Sequence, residues 1–117
     1  MRYGLSQQTI DRICGVFAAH PSVERAVLYG SRAKGNHRPG SDIDLTLHGE
    51  TLTSRELGDL AEELDDLLLP YRIDLSAFNR IGHAELRAHI ERVGVDFYRR
   101  QPGNNPAPSG GSDGRGP

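Results

Sequence analysis

Apolar residues recur along this chain in two periods, and the alternation between those periods predicts its elements. Ser6 is a good helix N-cap, and after it Ile10, Ile13, Cys14 and Phe17 return at helical spacing as far as His20-Pro21. Ala26-Val27-Leu28-Tyr29 is a short apolar run closed by Gly30, which reads as a buried strand. From Asp42 to about Leu47 the period becomes two: Ile43, Leu45 and Leu47 share one face, Asp42 and Asp44 the other. Thr53 or Ser54 opens a second long helix with a continuous stripe of Leu57, Leu60, Ala61, Leu64, Leu67 and Leu68, ended by Pro70. Tyr71 to Ser76 alternates again, with Ile73 and Leu75 opposite Asp74. Leu86, Ile90 and Val93 mark a third helix stopped by Gly94, and Val95 to Tyr98 reads as a short extended return. Strands interleaved with helices predict an α/β domain over residues 1–100, a small mixed β-sheet flanked by helices. From Gln101 to Pro117 the chain is dominated by Pro, Gly, Ser and Asn. It has almost nothing apolar to offset its ordering entropy, which predicts a disordered tail.

Composition acts mainly by exclusion. A chain of 117 residues suits one domain with a real core. The formal net charge of −2 gives no general attraction to nucleic acid, and no basic stripe interleaved with aromatics suggests stacking on bases. Cys14 is the one cysteine, so an internal disulfide framework is excluded and a reducing, cytoplasmic setting fits. Its place on the apolar face of the first helix reads as packing. The absence of a long apolar run, or of a charged-then-apolar start, argues against membrane spanning and secretion. His20, His48, His83 and His89 show no metal-ligand spacing with cysteine or one another and are assigned to no site. The run Glu62-Glu63, Asp65-Asp66 reads as the solvated face of the second long helix, with partner contact as the alternative.

The chemistry concentrates between the first two strands, in Gly30-Ser31 and the basic, glycine-rich loop that leads to Asp42-Ile43-Asp44. Gly30 allows close approach of a ligand to the backbone, Ser31 offers a hydroxyl, and N–H groups at such a turn suit a phosphate. Asp42 and Asp44 lie side by side on one strand face and repel unless a cation neutralises them; hard oxygen donors beside a phosphate favour Mg²⁺ or Mn²⁺. Arg32 and Lys34, the chain's only lysine, are placed to hold triphosphate oxygens, whereas Arg38 and His37 read as exposed loop residues. Asp74 faces the Asp42/Asp44 side if its strand is a neighbour.

Gly30-Ser31, Asp42-x-Asp44 and Asp74 in this order resemble the signature of the nucleotidyltransferase superfamily that shares its fold with DNA polymerase beta. Over roughly Leu5 to Arg99 the chain is similar to minimal nucleotidyltransferases (MNT), the stand-alone type paired as antitoxin with a HEPN ribonuclease toxin. That resemblance implies Asp42, Asp44 and Asp74 as catalytic and metal-holding residues, since each matches a family position. It also implies Gly30 and Ser31 at the phosphates, ATP as donor and two Mg²⁺ ions, with Mn²⁺ as the substitute. The implied activity is transfer of AMP to a hydroxyl, in the family a tyrosine of the HEPN toxin, with that toxin as a hetero-oligomeric partner supplying the other wall of the site. Two further readings stay open: an antitoxin that acts by binding alone, and a transferase for a small hydroxylated molecule such as an aminoglycoside.

Overall fold

A computed structural model describes residues 2–100. The sequence from Gln101 onward, and with it the expected tail, lies outside the described residues. The chain runs α1 (Gln7–Ala18), β1 (Arg25–Tyr29), α2 (Ser31–Lys34), β2 (Ile43–His48), α3 (Ser54–Asp65), β3 (Ile73–Ala77), a 3₁₀ turn (Phe78–Arg80), α4 (Ala84–Val93) and β4 (Val95–Arg99). Four strands form one mixed sheet in the order β3-β2-β1-β4. β1 is antiparallel to both β2 and β4, and β2 is parallel to β3.

The helices begin where local chemistry satisfies their first N–H groups. Ser6 Oγ accepts from the Thr9 N–H at 3.1 Å to open α1, and Thr53 Oγ1 accepts from the Glu56 N–H at 3.1 Å to open α3. The stripe expected to carry α3 through Leu68 stops short, because α3 ends at Asp65. Leu69 precedes Pro70 and is pushed out of the helical region, so the chain has to leave the helix earlier. It does so through Leu68, which takes φ 56° and stands 87% exposed, while the Leu67 carbonyl accepts from Arg12 Nη2 at 2.8 Å.

The two faces of the sheet differ in what covers them. Ala26, Leu28, Ile43, Leu45, Leu47 and Ala77 pack with Leu5, Ile10, Ile13 and Phe17 of the N-terminal segment and with Leu60 and Leu64 of α3 in the main core. Phe17 is fully buried, a burial that contributes about 3 kcal/mol. Cys14 packs against this core as expected, and burial pushes its thiol pKa up. On the opposite face Val27, Phe78 and Ile90 form a smaller cluster under α4, with Tyr29 and Ile81 against it. This thinner cover leaves one end of that face to polar side chains.

Candidate active site

Strand register builds the site. β2 and β3 pair in parallel with Asp44 opposite Asp74, and β1 pairs with β2 with Tyr29 opposite Asp44. Directly paired residues project to one face, so the two carboxylates and the phenol stand together at the end of the sheet. Asp42 lies immediately before β2 and is exposed, as is Asp74; Asp44 is half-buried. Burial, then the negative charges of Asp74 and Asp42, push the Asp44 pKa up. Burial likewise raises the Tyr29 pKa, with Asp74 and Asp44 adding to it. One pleat deeper on this face, buried Thr46 accepts from Ser76 Oγ at 2.9 Å and donates to the Ser76 carbonyl.

The turn facing these carboxylates is shaped by Gly30. Its φ of 77° and ψ of −156° belong to a region that only glycine adopts freely, and a Cβ there would overlap Asp44 Oδ2. Ser31 starts the single turn of α2, and Gly35 closes it in the left-handed conformation. The first N–H groups of such a turn have no partner within it. Lys34 is exposed at its end.

Arg32 lies elsewhere than its expected place at a triphosphate. It is 2% exposed, and its guanidinium donates to the Ser41 carbonyl through Nε (3.1 Å) and Nη2 (2.8 Å) and to the Tyr3 carbonyl through Nη1 (2.8 Å). With its donors committed to backbone oxygens under the loop, the side chain faces away from the open surface, which corrects the sequence expectation. His37, expected to be exposed, is half-buried with its ring against Gly4. A cavity of about 400 Å³ opens beside it, lined by Gly4, Arg32, His37, Pro39, Gly40 and Tyr71.

The donor set suits a divalent cation held by hard oxygens. Asp44 and Asp74 are in register, and Asp42 is close enough to act on Asp44; burial first, and then the repulsion of these two charges, raises the Asp44 pKa, and a bound cation would offset both. Among the described residues no group of three or more His, Cys, Asp or Glu side chains converges into a ready-made metal site. This is compatible with Mg²⁺, which is usually bound by one or two carboxylates and completed by water and substrate phosphates.

The fold and this turn-and-carboxylate geometry place the chain in a known class. The profile described as "Polymerase beta, Nucleotidyltransferase" matches residues 11–103, and the chain belongs to that family. No curated protein matches the sequence. Among solved structures, a toxin–antitoxin structure with AMP-PNP is similar at TM-score 0.63 and 23% identity, over 79% of this chain and 74% of that one. The MntA-HepT toxin–antitoxin structure is similar at TM-score 0.60 and 21% identity, over 82% of this chain and 74% of that one. A third is the tri-AMPylated Shewanella oneidensis HEPN toxin in complex with MNT antitoxin, at TM-score 0.60 and 21% identity, over 83% of this chain and 75% of that one. These likenesses show a shared fold. Among the described residues no helix is long and apolar enough to cross a membrane.

Sequence reasoning missed Tyr29 and Tyr71 at this end of the sheet. Tyr29 was findable, since it abuts Gly30 and shares the alternation of its strand. The place of Tyr71 under Arg32 had no signal, because that contact joins segments distant in sequence.

Proposed function

We propose that this protein is an antitoxin nucleotidyltransferase that transfers AMP from ATP to a hydroxyl, in first place a tyrosine hydroxyl, of a HEPN ribonuclease toxin. The observation that carries the reading is the in-register Asp44/Asp74 pair, with Asp42 one residue ahead of β2 and the Gly30-Ser31 turn against Asp44. The partner class is inferred from the fold shared with MNT antitoxin–HEPN toxin complexes, one of them AMPylated.

Gly30 and Ser31 bind phosphate oxygens through the turn's N–H groups and the Ser31 hydroxyl, and Lys34 supplies positive charge from the exposed end of α2. Asp42, Asp44 and Asp74 would hold Mg²⁺. When bound, the metal supplies charge stabilisation to the triphosphate and to the attacking and leaving oxygens. The acceptor oxygen attacks the α-phosphorus in line; its O–P bond forms as the bond to the pyrophosphate oxygen breaks, and pyrophosphate leaves. The acceptor proton passes to Asp74 or to water. Exposure of Asp42 and Asp74 leaves this end open to a macromolecular acceptor. AMP on the toxin adds a bulky anion that opposes RNA binding through charge and steric block.

Intact-mass measurement of the candidate HEPN partner, after incubation with this protein, ATP and Mg²⁺, tests the reading. A gain of one or more AMP units, absent with Asp42→Ala/Asp44→Ala, is the expected result. A neutralised partner in stable complex without any mass gain would overturn catalysis and leave an antitoxin that acts by binding.

A further inference from the structure

Arg32 is a buried cation that the proposed chemistry leaves without a role. Burying a guanidinium is costly unless its donors are satisfied, and here three of its nitrogens are bound to two backbone carbonyls. The guanidinium also lies over Tyr71, with Cζ 4.9 Å from the ring centroid. Each contact reaches a different segment of the site. Ser41 directly precedes Asp42, Arg32 directly follows Ser31, and Tyr71 begins the segment that leads into Asp74. Between the last two, the Arg72 carbonyl accepts from the Ile43 N–H at 2.9 Å, which ties that segment to the start of β2.

The fourth segment is the N-terminal turn Arg2–Leu5, closed by two backbone hydrogen bonds at 3.0 and 2.8 Å. Tyr3 and Gly4 have φ of 58° and 75° there, which aims the Tyr3 carbonyl at Arg32, while fully buried Leu5 anchors the turn in the main core. Gly4 rests on His37 of the glycine-rich loop, so the turn braces this loop as well.

We propose that Arg32 is a positioning residue: its buried guanidinium locks the phosphate turn, the loop ahead of Asp42 and the approach to Asp74 into one frame. This rests on the nucleotidyltransferase reading of the site. The geometry requires arginine, because the planar fork reaches Ser41 and Tyr3 together while its central carbon lies over Tyr71. A lysine ammonium is a point charge without that fork.

The test uses the full chain with Arg32→Lys and, as a second variant distant in sequence from the phosphate turn, Tyr71→Leu. Hydrogen exchange is read peptide by peptide, and Mn²⁺ alone is the binding probe, followed by electron paramagnetic resonance. Arg32→Lys is expected to speed exchange about tenfold at Ser41–Asp44 and Tyr3–Leu5 while α1 and α3 stay as in the wild type. It is also expected to weaken Mn²⁺ binding about tenfold, the usual effect of losing a group that orients metal ligands. Tyr71→Leu should shift both in the same direction by less. Unchanged exchange at those segments overturns the proposal, and so does an even rise through α1 and α3, which is ordinary core support. If the wild type neither binds Mn²⁺ nor transfers AMP, the active-site reading fails, and the exchange pattern alone decides the clamp.

Discussion

At Gly30 the backbone turns with φ 77° and ψ −156° directly against the Asp44 carboxylate, so conformation and space both exclude a side chain. Gly30→Ala is therefore expected to cost about 1–3 kcal/mol in urea denaturation and to displace Asp44. Asp44 itself is a destabilising group whenever it is ionised. Its pKa is raised on folding, so the folded state holds the proton more tightly than the unfolded chain. Stability then falls as pH rises from the ordinary carboxylate value through the raised one, and the deficit persists above it. Asp44→Asn should consequently melt higher than the wild type at neutral pH, and the gain should vanish under acid conditions where both states are protonated. Thermal melts at the two pH values check the sign. A higher melting temperature combined with lost transfer would mark strain kept for function.

Between elements, the link from α1 to α3 runs through a charged triad that the sequence did not disclose. His20 bridges Glu56 at 2.9 Å through Nδ1 and Glu63 at 2.8 Å through Nε2, and Ser22 also donates to Glu56. The hydrogen bond to Glu56 is the main cause of a raised His20 pKa. A raised histidine pKa gives stability that is fully present below the ordinary value of 6.5 and is lost as pH climbs through the folded value. In urea titrations the wild type should lose stability over that window, and His20→Gln should be flat there. The far end of α1 has a second tie: Arg100 donates to the carbonyls of Phe17, Ala18, His20 and Val23, which serve as acceptors at and beyond the helix C-terminus. Arg100→Ala is expected to cost about 2 kcal/mol, measured by the same denaturation.

For the whole molecule, nucleotide and metal should act as stabilising ligands, because the groups proposed to bind them come together only in the folded sheet. At a free concentration about a hundred times Kd, ATP with Mg²⁺ should add about 2.7 kcal/mol to unfolding free energy. The increment should be missing in Asp42→Ala/Asp44→Ala, and calorimetric melts with and without ligand check this. Most of the fold was legible beforehand because its core follows simple periods: Ile10, Ile13 and Phe17 on α1, then Ile43, Leu45 and Leu47 on β2, are buried where the pattern puts them. Leu68 departs from the pattern: its apolar character fits the stripe, whereas the backbone limit imposed through Pro70 outweighs it.

The sequence by itself determined the elements, the opposition of apolar and acidic residues on β2 and β3, and the glycine turn ahead of them, since period and backbone freedom are local properties. Only the tertiary structure decided that Asp44 stands in register with Asp74, because β2 and β3 are joined through α3, and their pairing depends on how α3 packs against β3. It also decided that Arg32 turns inward to Ser41 and Tyr3. A basic residue in a phosphate-like loop has the same local sequence whether it meets solvent or buried carbonyls. The carbonyls that claim it come from segments that meet only when the chain has folded.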